Sequence, residues 1–389
     1  MPENSYHLIS LLCALQGVLL SLVFICRKNG HPAGRLLGAY LFLFSVGMLE
    51  NYLDEKLPGL SGKLVFSFLG FSNFLYGPLL YLFVHFLTVK TPKFKSRQLL
   101  HLLPFSLFFL LDFSLLLVVG KSLRGDWPLA ELGLFELLVL QILTYNVLAI
   151  QKLKQYRQSI LQIHSSLEER DLRWLQLLLM GLTGVYLLSF SITHLLVFGF
   201  DGVEKAYVLV QVLITLTIYL MSYRMLFQPA LFVLMDPTRV PDSIVGKPAK
   251  LTTEKYQRSG MTSSQAEAYA GLLLNFMDTA KPYLDPDITI HHLAQRLGIS
   301  RNHLTEVINK TLGRNFYEFI NAYRIEEVKR LLIDPRFAYL NLAALGLEAG
   351  FKSKTAFNAN FKKFTGATPS KWKANTRLSK EKNQKVVLT

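Results

Sequence analysis

Seven stretches of the chain are apolar over about 20 residues, the length a helix needs to cross the hydrocarbon core of a bilayer. They lie near 6–26, 33–53, 63–89, 98–119, 129–151, 173–199 and 206–227. Together they predict a seven-helix transmembrane bundle over residues 1–228. An apolar fraction of 51% agrees, since it exceeds what a purely soluble chain of 389 residues needs. The first stretch reads as an anchor rather than a cleaved leader. No Lys or Arg precedes it, and Arg27 and Lys28 follow it, the reverse of a secretory signal's charge layout. The two cysteines, Cys13 and Cys26, both fall in that stretch. Helical spacing sets them roughly 20 Å apart, beyond disulfide reach, so they read as small apolar residues.

Orientation follows from Lys and Arg in the connections. The first, third and fifth hold twelve: Arg27, Lys28, Arg35, Lys90, Lys93, Lys95, Arg97, Lys152, Lys154, Arg157, Arg170 and Arg173. The second, fourth and sixth hold five: Lys56, Lys63, Lys121, Arg124 and Lys205. The richer set should face the cytoplasm, which puts the N-terminus outside and, after seven spans, delivers the rest of the chain to the cytoplasm. Polar groups at membrane depth need an account. Asp112, Glu136 and His194 are candidates for a signal-binding cavity, with His85, His101, Glu50 and Asn73 as further polar positions. The alternative is that they hydrogen-bond between helices or reach the outer interface. Gly77-Pro78 predicts a kink in the third span.

The formal charge of +15 suits a protein that meets phosphate, in lipid headgroups or nucleic acid. It is concentrated at the end without apolar runs: residues 351–389 hold ten Lys or Arg against the single acid Glu381. Prolines 229, 237, 241 and 248 mark residues 229–260 as a cytoplasmic linker. Ser263 and Ser264 then precede an amphipathic helix over Gln265–Thr279. The basic stretch Lys371–Lys385 either touches phosphate or forms a solubilising end, and residues 377–389 read as a tail.

Residues 261–376 carry the most specific pattern. Thr289 caps a short helix, His291–Leu297, that stops at Gly298; Ser300 caps the next, Arg301–Thr311, which stops at Gly313. Ala294 stands four residues before Gly298. Two closely crossing helices need a small residue at the crossing, a glycine in the turn and an apolar pin beyond it, here Leu304. The pattern recurs: Gly346 stands four before Gly350, Ser353 caps Lys354–Thr365, Phe357 and Phe361 supply the core and Gly366 the stop. Units at about 289–313 and 341–366 are joined by a helix over 316–333, closed by Asp334-Pro335. That helix would be about 27 Å long, and successive major grooves on one face of DNA recur every ~34 Å. Both second helices can thus enter neighbouring grooves.

The residues that make this pattern resemble the DNA-binding domain of AraC/XylS-type transcription regulators. Matching pieces are Leu293-Ala294-Gln295-Arg296-Leu297-Gly298-Ile299-Ser300, Phe319-Ile320-Asn321-Ala322-Tyr323-Arg324, Glu348-Ala349-Gly350-Phe351-Lys352-Ser353-Lys354-Thr355-Ala356-Phe357-Asn358 and Phe361-Lys362-Lys363-Phe364-Thr365-Gly366-Ala367-Thr368-Pro369. The multi-span N-terminal half is similar to a membrane-bound branch of that family. The resemblance implies that the second helix of each unit reads bases. On this chain the base-facing candidates are Asn302, Thr305, Glu306, Thr355, Asn358 and Ala359. Backbone-contact candidates are Arg301, Lys352, Ser353, Lys354, Lys362 and Lys363, which orient the protein without specifying sequence. Ala359 departs from the family, where arginine often supplies a bidentate guanine contact. Glu306 suits cytosine but repels phosphate.

The fold expected is therefore all-α: a seven-span bundle followed by a soluble AraC-type double helix-turn-helix domain. The function expected is a sequence-specific DNA-binding transcription regulator in a bacterial inner membrane, sensing a signal through the bundle or anchored by it. Partners expected are promoter DNA, the bilayer, a second copy of the chain and an unidentified small-molecule or membrane signal. Two other classes compete. A receptor or transporter would use the C-terminal domain to bind protein. An enzyme would need a phosphate-cradling glycine loop, a nucleophile elbow or zinc-ligand spacing, none of which the sequence contains. No cofactor is expected.

Overall fold

The computed structural model describes residues 3–27, 31–49, 57, 59–89, 94–124, 126–168, 170–200, 204–227 and 261–376. The expected linker at 229–260, the tail at 377–389 and Glu50 lie outside the described residues. The regular elements among those described are helices, and they divide into two compact units.

The N-terminal unit contains α1 (Glu3–Ile25), α2 (Pro32–Gly47), α3 (Gly59–Ser72), α4 (Tyr76–Leu87), α5 (Leu103–Val118), α6 (Pro128–Leu161, up to Tyr156), α7 (Arg173–Val197) and α8 (Glu204–Leu226). Each apolar stretch carries helix. Five helical stretches are long and apolar enough to cross a membrane: Gly59–Leu87, Ser96–Val118, Pro128–Leu161, Arg173–Val197 and Leu209–Leu226. Leu11–Ile25 and Pro32–Gly47 are shorter. By length and composition the described helices thus establish five candidates, not seven.

The third stretch departs from regular α-helix just before its proline. Pro78 has no N–H, so the Phe74 carbonyl four residues earlier loses its helical donor. The chain tightens into a 3₁₀ turn at Asn73–Leu75 between α3 and α4, and Gln141 Nε2 of α6 donates to the Phe74 carbonyl at 3.1 Å. Gly77 sits at the same contact, because a Cβ there would come within 2.9 Å of the Tyr145 ring on α6. The interior is built from Leu37, Tyr40 and Leu41 of α2, Phe83 of α4 and Leu175 and Leu179 of α7, all fully buried. The outward faces remain apolar: Leu107, Leu110, Leu140 and Leu177 are each at least 60% exposed.

Two of the three signal-cavity candidates meet. His194 Nε2 lies 3.4 Å from a Glu136 oxygen, with Glu136 half exposed. Asp112 goes elsewhere. It is fully buried and accepts from the Ser122 hydroxyl (3.0 Å) and the Leu123 amide (2.5 Å), so it fastens the turn after α5. A buried carboxylate needs such donors, and they come from its own connection.

The C-terminal unit begins with α9 (Ser263–Ala280). Its cap is Thr262, one residue before the expected serines: Thr262 Oγ1 accepts from the Gln265 amide (3.2 Å) and Gln265 Oε1 from the Thr262 amide (3.1 Å), a reciprocal capping box. Then come α10 (Ile290–Leu297), α11 (Arg301–Glu306), α12 (Phe316–Ile333), α13 (Leu342–Glu348) and α14 (Lys354–Thr365), with residues 369–376 also helical. α11 opens into a π-helical turn at Val307–Thr311 instead of continuing as regular helix to Thr311. Two cores form. Leu273, Met277, Leu293, Leu304 and Ile308 make the first, and Leu345, Phe351, Phe357 and Phe361 the second. α12 serves both, giving Phe316, Phe319 and Ile320 to the first and Ile325, Val328, Leu331 and Leu332 to the second. It is apolar on more than one side because each half faces a different core. The segment Arg157–Asp171, the end of α6 and the connection to α7, also belongs to this unit.

Candidate nucleic-acid interface

The two helix-turn-helix units repeat one local geometry. In the first, α10 ends at Gly298 (φ 68°), and the Ile299 amide reaches back to the Ala294 carbonyl at 3.1 Å. In the second, α13 ends at Gly350 (φ 90°), and the Phe351 amide reaches back to the Gly346 carbonyl, also at 3.1 Å. Each is a Schellman stop in which the left-handed residue is glycine and the next residue is apolar. Side-chain caps start all four helices. Thr289, Ser300, Asn341 and Ser353 accept from the amides of His292 (3.3 Å), His303 (3.1 Å), Ala344 (2.9 Å) and Ala356 (3.1 Å). The small residue at the crossing is required in the second unit, since a Cβ on Gly346 would lie 2.6 Å from the Phe357 ring.

These stops and caps aim α11 and α14 outward. On α14, Lys354, Thr355, Asn358, Ala359 and Lys362 are exposed at helical spacing on one face. Phe357 and Phe361 are buried on the other, against Phe351 and Trp372. The exposed face carries two cations, amide and hydroxyl groups and no acid, a chemistry that fits the major groove and its flanking phosphates. α11 offers less. Asn302 is exposed, Arg301 is partly buried, and Thr305 is partly buried with its hydroxyl donated back to the Arg301 carbonyl (2.8 Å).

Glu306 does not face outward. It is 6% exposed, and Lys310 Nζ donates to its carboxylate at 2.8 Å. A carboxylate leaving water needs a cation close by, and Lys310, four residues on, supplies it. Three backbone-contact candidates are also engaged. Lys352 pairs with Asp287, Lys363 pairs with Glu318 at 2.7 Å, and the Ser353 hydroxyl donates to Glu168.

Arg324 and Asn321 belong to the matched motif but stood out neither for charge nor for contact in the sequence. Arg324 is 1% exposed and faces no carboxylate at ion-pair distance among its hydrogen-bond partners. Its Nε donates to the Tyr283 carbonyl and its Nη2 to the Asp285 carbonyl, both at 2.8 Å. Burial pulls its pKa down to about 10. Its remaining donors, with Asn321, hold Ser165. An apolar period cannot indicate a guanidinium that closes a fold by binding carbonyls far along the chain.

Comparison with known proteins agrees with this geometry. Residues 293–375 match the family model described as a helix-turn-helix domain. An uncharacterized HTH-type transcriptional regulator of Staphylococcus aureus (strain COL) is 28% identical over 107 residues, 28% of this chain and 14% of that protein. The melibiose operon regulatory protein of Escherichia coli (strain K12) is 29% identical over 122 residues, 31% of this chain and 37% of that protein. The chain therefore spans well under half the length of these relatives, and the likeness is confined to one region. No solved structure matches the chain.

Proposed function

Since residues 293–375 are an AraC-type helix-turn-helix domain, we propose that the chain is a DNA-binding transcription regulator held in a bacterial inner membrane by residues 1–228. The observation that carries the DNA half is the exposed face of α14, where Thr355, Asn358 and Ala359 lie between Lys354 and Lys362. Asn358 reads a base edge, with Thr355 and, on α11, Asn302 as further readers; adenine is the natural partner of a bidentate asparagine. Lys354 and Lys362 hold flanking phosphates, which gives affinity and a salt dependence but no sequence preference.

The membrane half rests on the apolar outward faces of the N-terminal unit and on its five long apolar helices. Seven spans with the N-terminus outside accommodate α1 and α2 as the remaining crossings, and the excess of Lys and Arg in the odd-numbered connections supports that orientation. The Glu136–His194 pair is a polar feature on which a signal can act, by changing the partner of the histidine.

Selection from a random duplex pool by the full chain in lipid nanodiscs tests the reading. The expected result is enrichment of one motif, with the chain extracted from cells only by detergent. A pool that stays random through successive rounds, or a chain released from membranes by alkaline carbonate, would overturn it.

A further inference from the structure

We infer that the segment between α6 and α7 docks on the DNA-binding unit as an internal competitor of DNA, its carboxylate at Glu168 standing where a backbone phosphate would bind. The inference rests on the DNA-binding reading above.

The docking is built rather than grazing. The Ile163 carbonyl accepts the first amide of α10, from Ile290, at 3.0 Å, and His164 pairs with Thr289 as a single antiparallel bridge. That amide is one of the helix-start donors that need an acceptor from outside the helix. Ser165 is 2% exposed, and its hydroxyl donates to the Ile288 carbonyl at 2.9 Å. Asn321 Nδ2 donates to the Ser165 carbonyl at 3.0 Å and Arg324 Nη2 to the Ser165 hydroxyl at 3.2 Å. The buried guanidinium thus holds the segment through the Ser165 hydroxyl, which a residue without one could not replace, and, with Asn321, through the Ser165 carbonyl.

This anchoring sets Glu168 at the start of α14. Ser353 caps that helix through its oxygen and donates its hydroxyl proton to Glu168. A serine hydroxyl has one proton to give. While Glu168 holds it, a phosphate cannot, and the carboxylate repels any phosphate approaching the same helix start. DNA and the docked segment therefore exclude each other at Ser353. The segment is continuous with α6 and α7, so a rearrangement at the ends of those helices reaches it without a diffusing messenger.

Two measurements on the full chain in nanodiscs test this, using the duplex enriched by the wild type as probe. Glu168→Gln removes the charge and keeps the shape; its Kd should fall at least about fivefold, the scale of a modest coupling between sites. Saturating duplex should also speed amide hydrogen exchange in residues 162–168 of the wild type while slowing it along α14. Unchanged affinity in Glu168→Gln, or a segment that stays equally protected with DNA bound, would overturn the inference while leaving DNA binding intact. Failure of every variant to bind the duplex would instead overturn the reading beneath it.

Discussion

The two helix-turn-helix units share caps, stops and crossing geometry, yet they present different surfaces. The second unit exposes a twelve-residue helix with a basic and polar face, whereas the first exposes Asn302 on six residues of α-helix before the π turn and turns Glu306 inward. Equal scaffolds therefore do not imply equal roles. The scaffold is set by glycine and capping positions that both units possess, and the reading surface by residues those positions leave free.

The strongest way to break the comparison is at the matched turn glycines. Both have positive φ, which costs an alanine about 1–2 kcal/mol. Around Gly298 nothing lies within 4 Å of an added Cβ, but at Gly350 it would stand 2.4 Å from the Tyr283 carbonyl oxygen. Gly350→Ala should cost about 2–5 kcal/mol and disorder the second unit, and Gly298→Ala only the conformational part. Hydrogen exchange along α13 and α14 against α10 and α11 reads both, and equal losses would refute the asymmetry.

A smaller effect sharpens the functional side. Asn358→Ala should lose about 1–3 kcal/mol of discrimination at one base pair, and Asn302→Ala less, because α11 has fewer exposed partners to fix its register. Competition binding with single-base variants of the selected duplex separates them; a larger loss for Asn302→Ala would reverse the assignment. Smallest are the leading caps: Thr289→Ala and Asn341→Ala should each cost about 1 kcal/mol. Local exchange at α10 and α13 measures them, and costs that differ severalfold would mean that the caps are not equivalent.

Much of this architecture was legible because its causes are local. Thr289, Ser300 and Ser353 are caps as expected, and α12 spans Phe316–Ile333 as its apolar pattern and the Asp334-Pro335 stop require. The repeat at Ala294 and Gly346 announced a close crossing that the Phe357 ring explains. What escaped depends on distant partners or on burial. Motif position makes Glu306 base-facing and does not show the burial that its pairing with Lys310 accompanies. Asp112 looked like a cavity residue because its donors, Ser122 and Leu123, lie beyond the end of its apolar run. Ser165 and Glu168 gave no sign at all, since their partners Arg324 and Ser353 stand more than 150 residues away. Span number fell between these cases: apolarity marks the segments, but helix length qualifies five of them.

Hydroxyl-radical footprinting of the selected duplex by the full chain in nanodiscs tests the central claim most directly. Two protected patches on one face of the DNA, about 10 base pairs apart centre to centre, are the predicted result, with the patch assigned to α14 weakened by Asn358→Ala together with Lys354→Ala. Protection no different from that on random-sequence DNA at physiological salt would contradict the account.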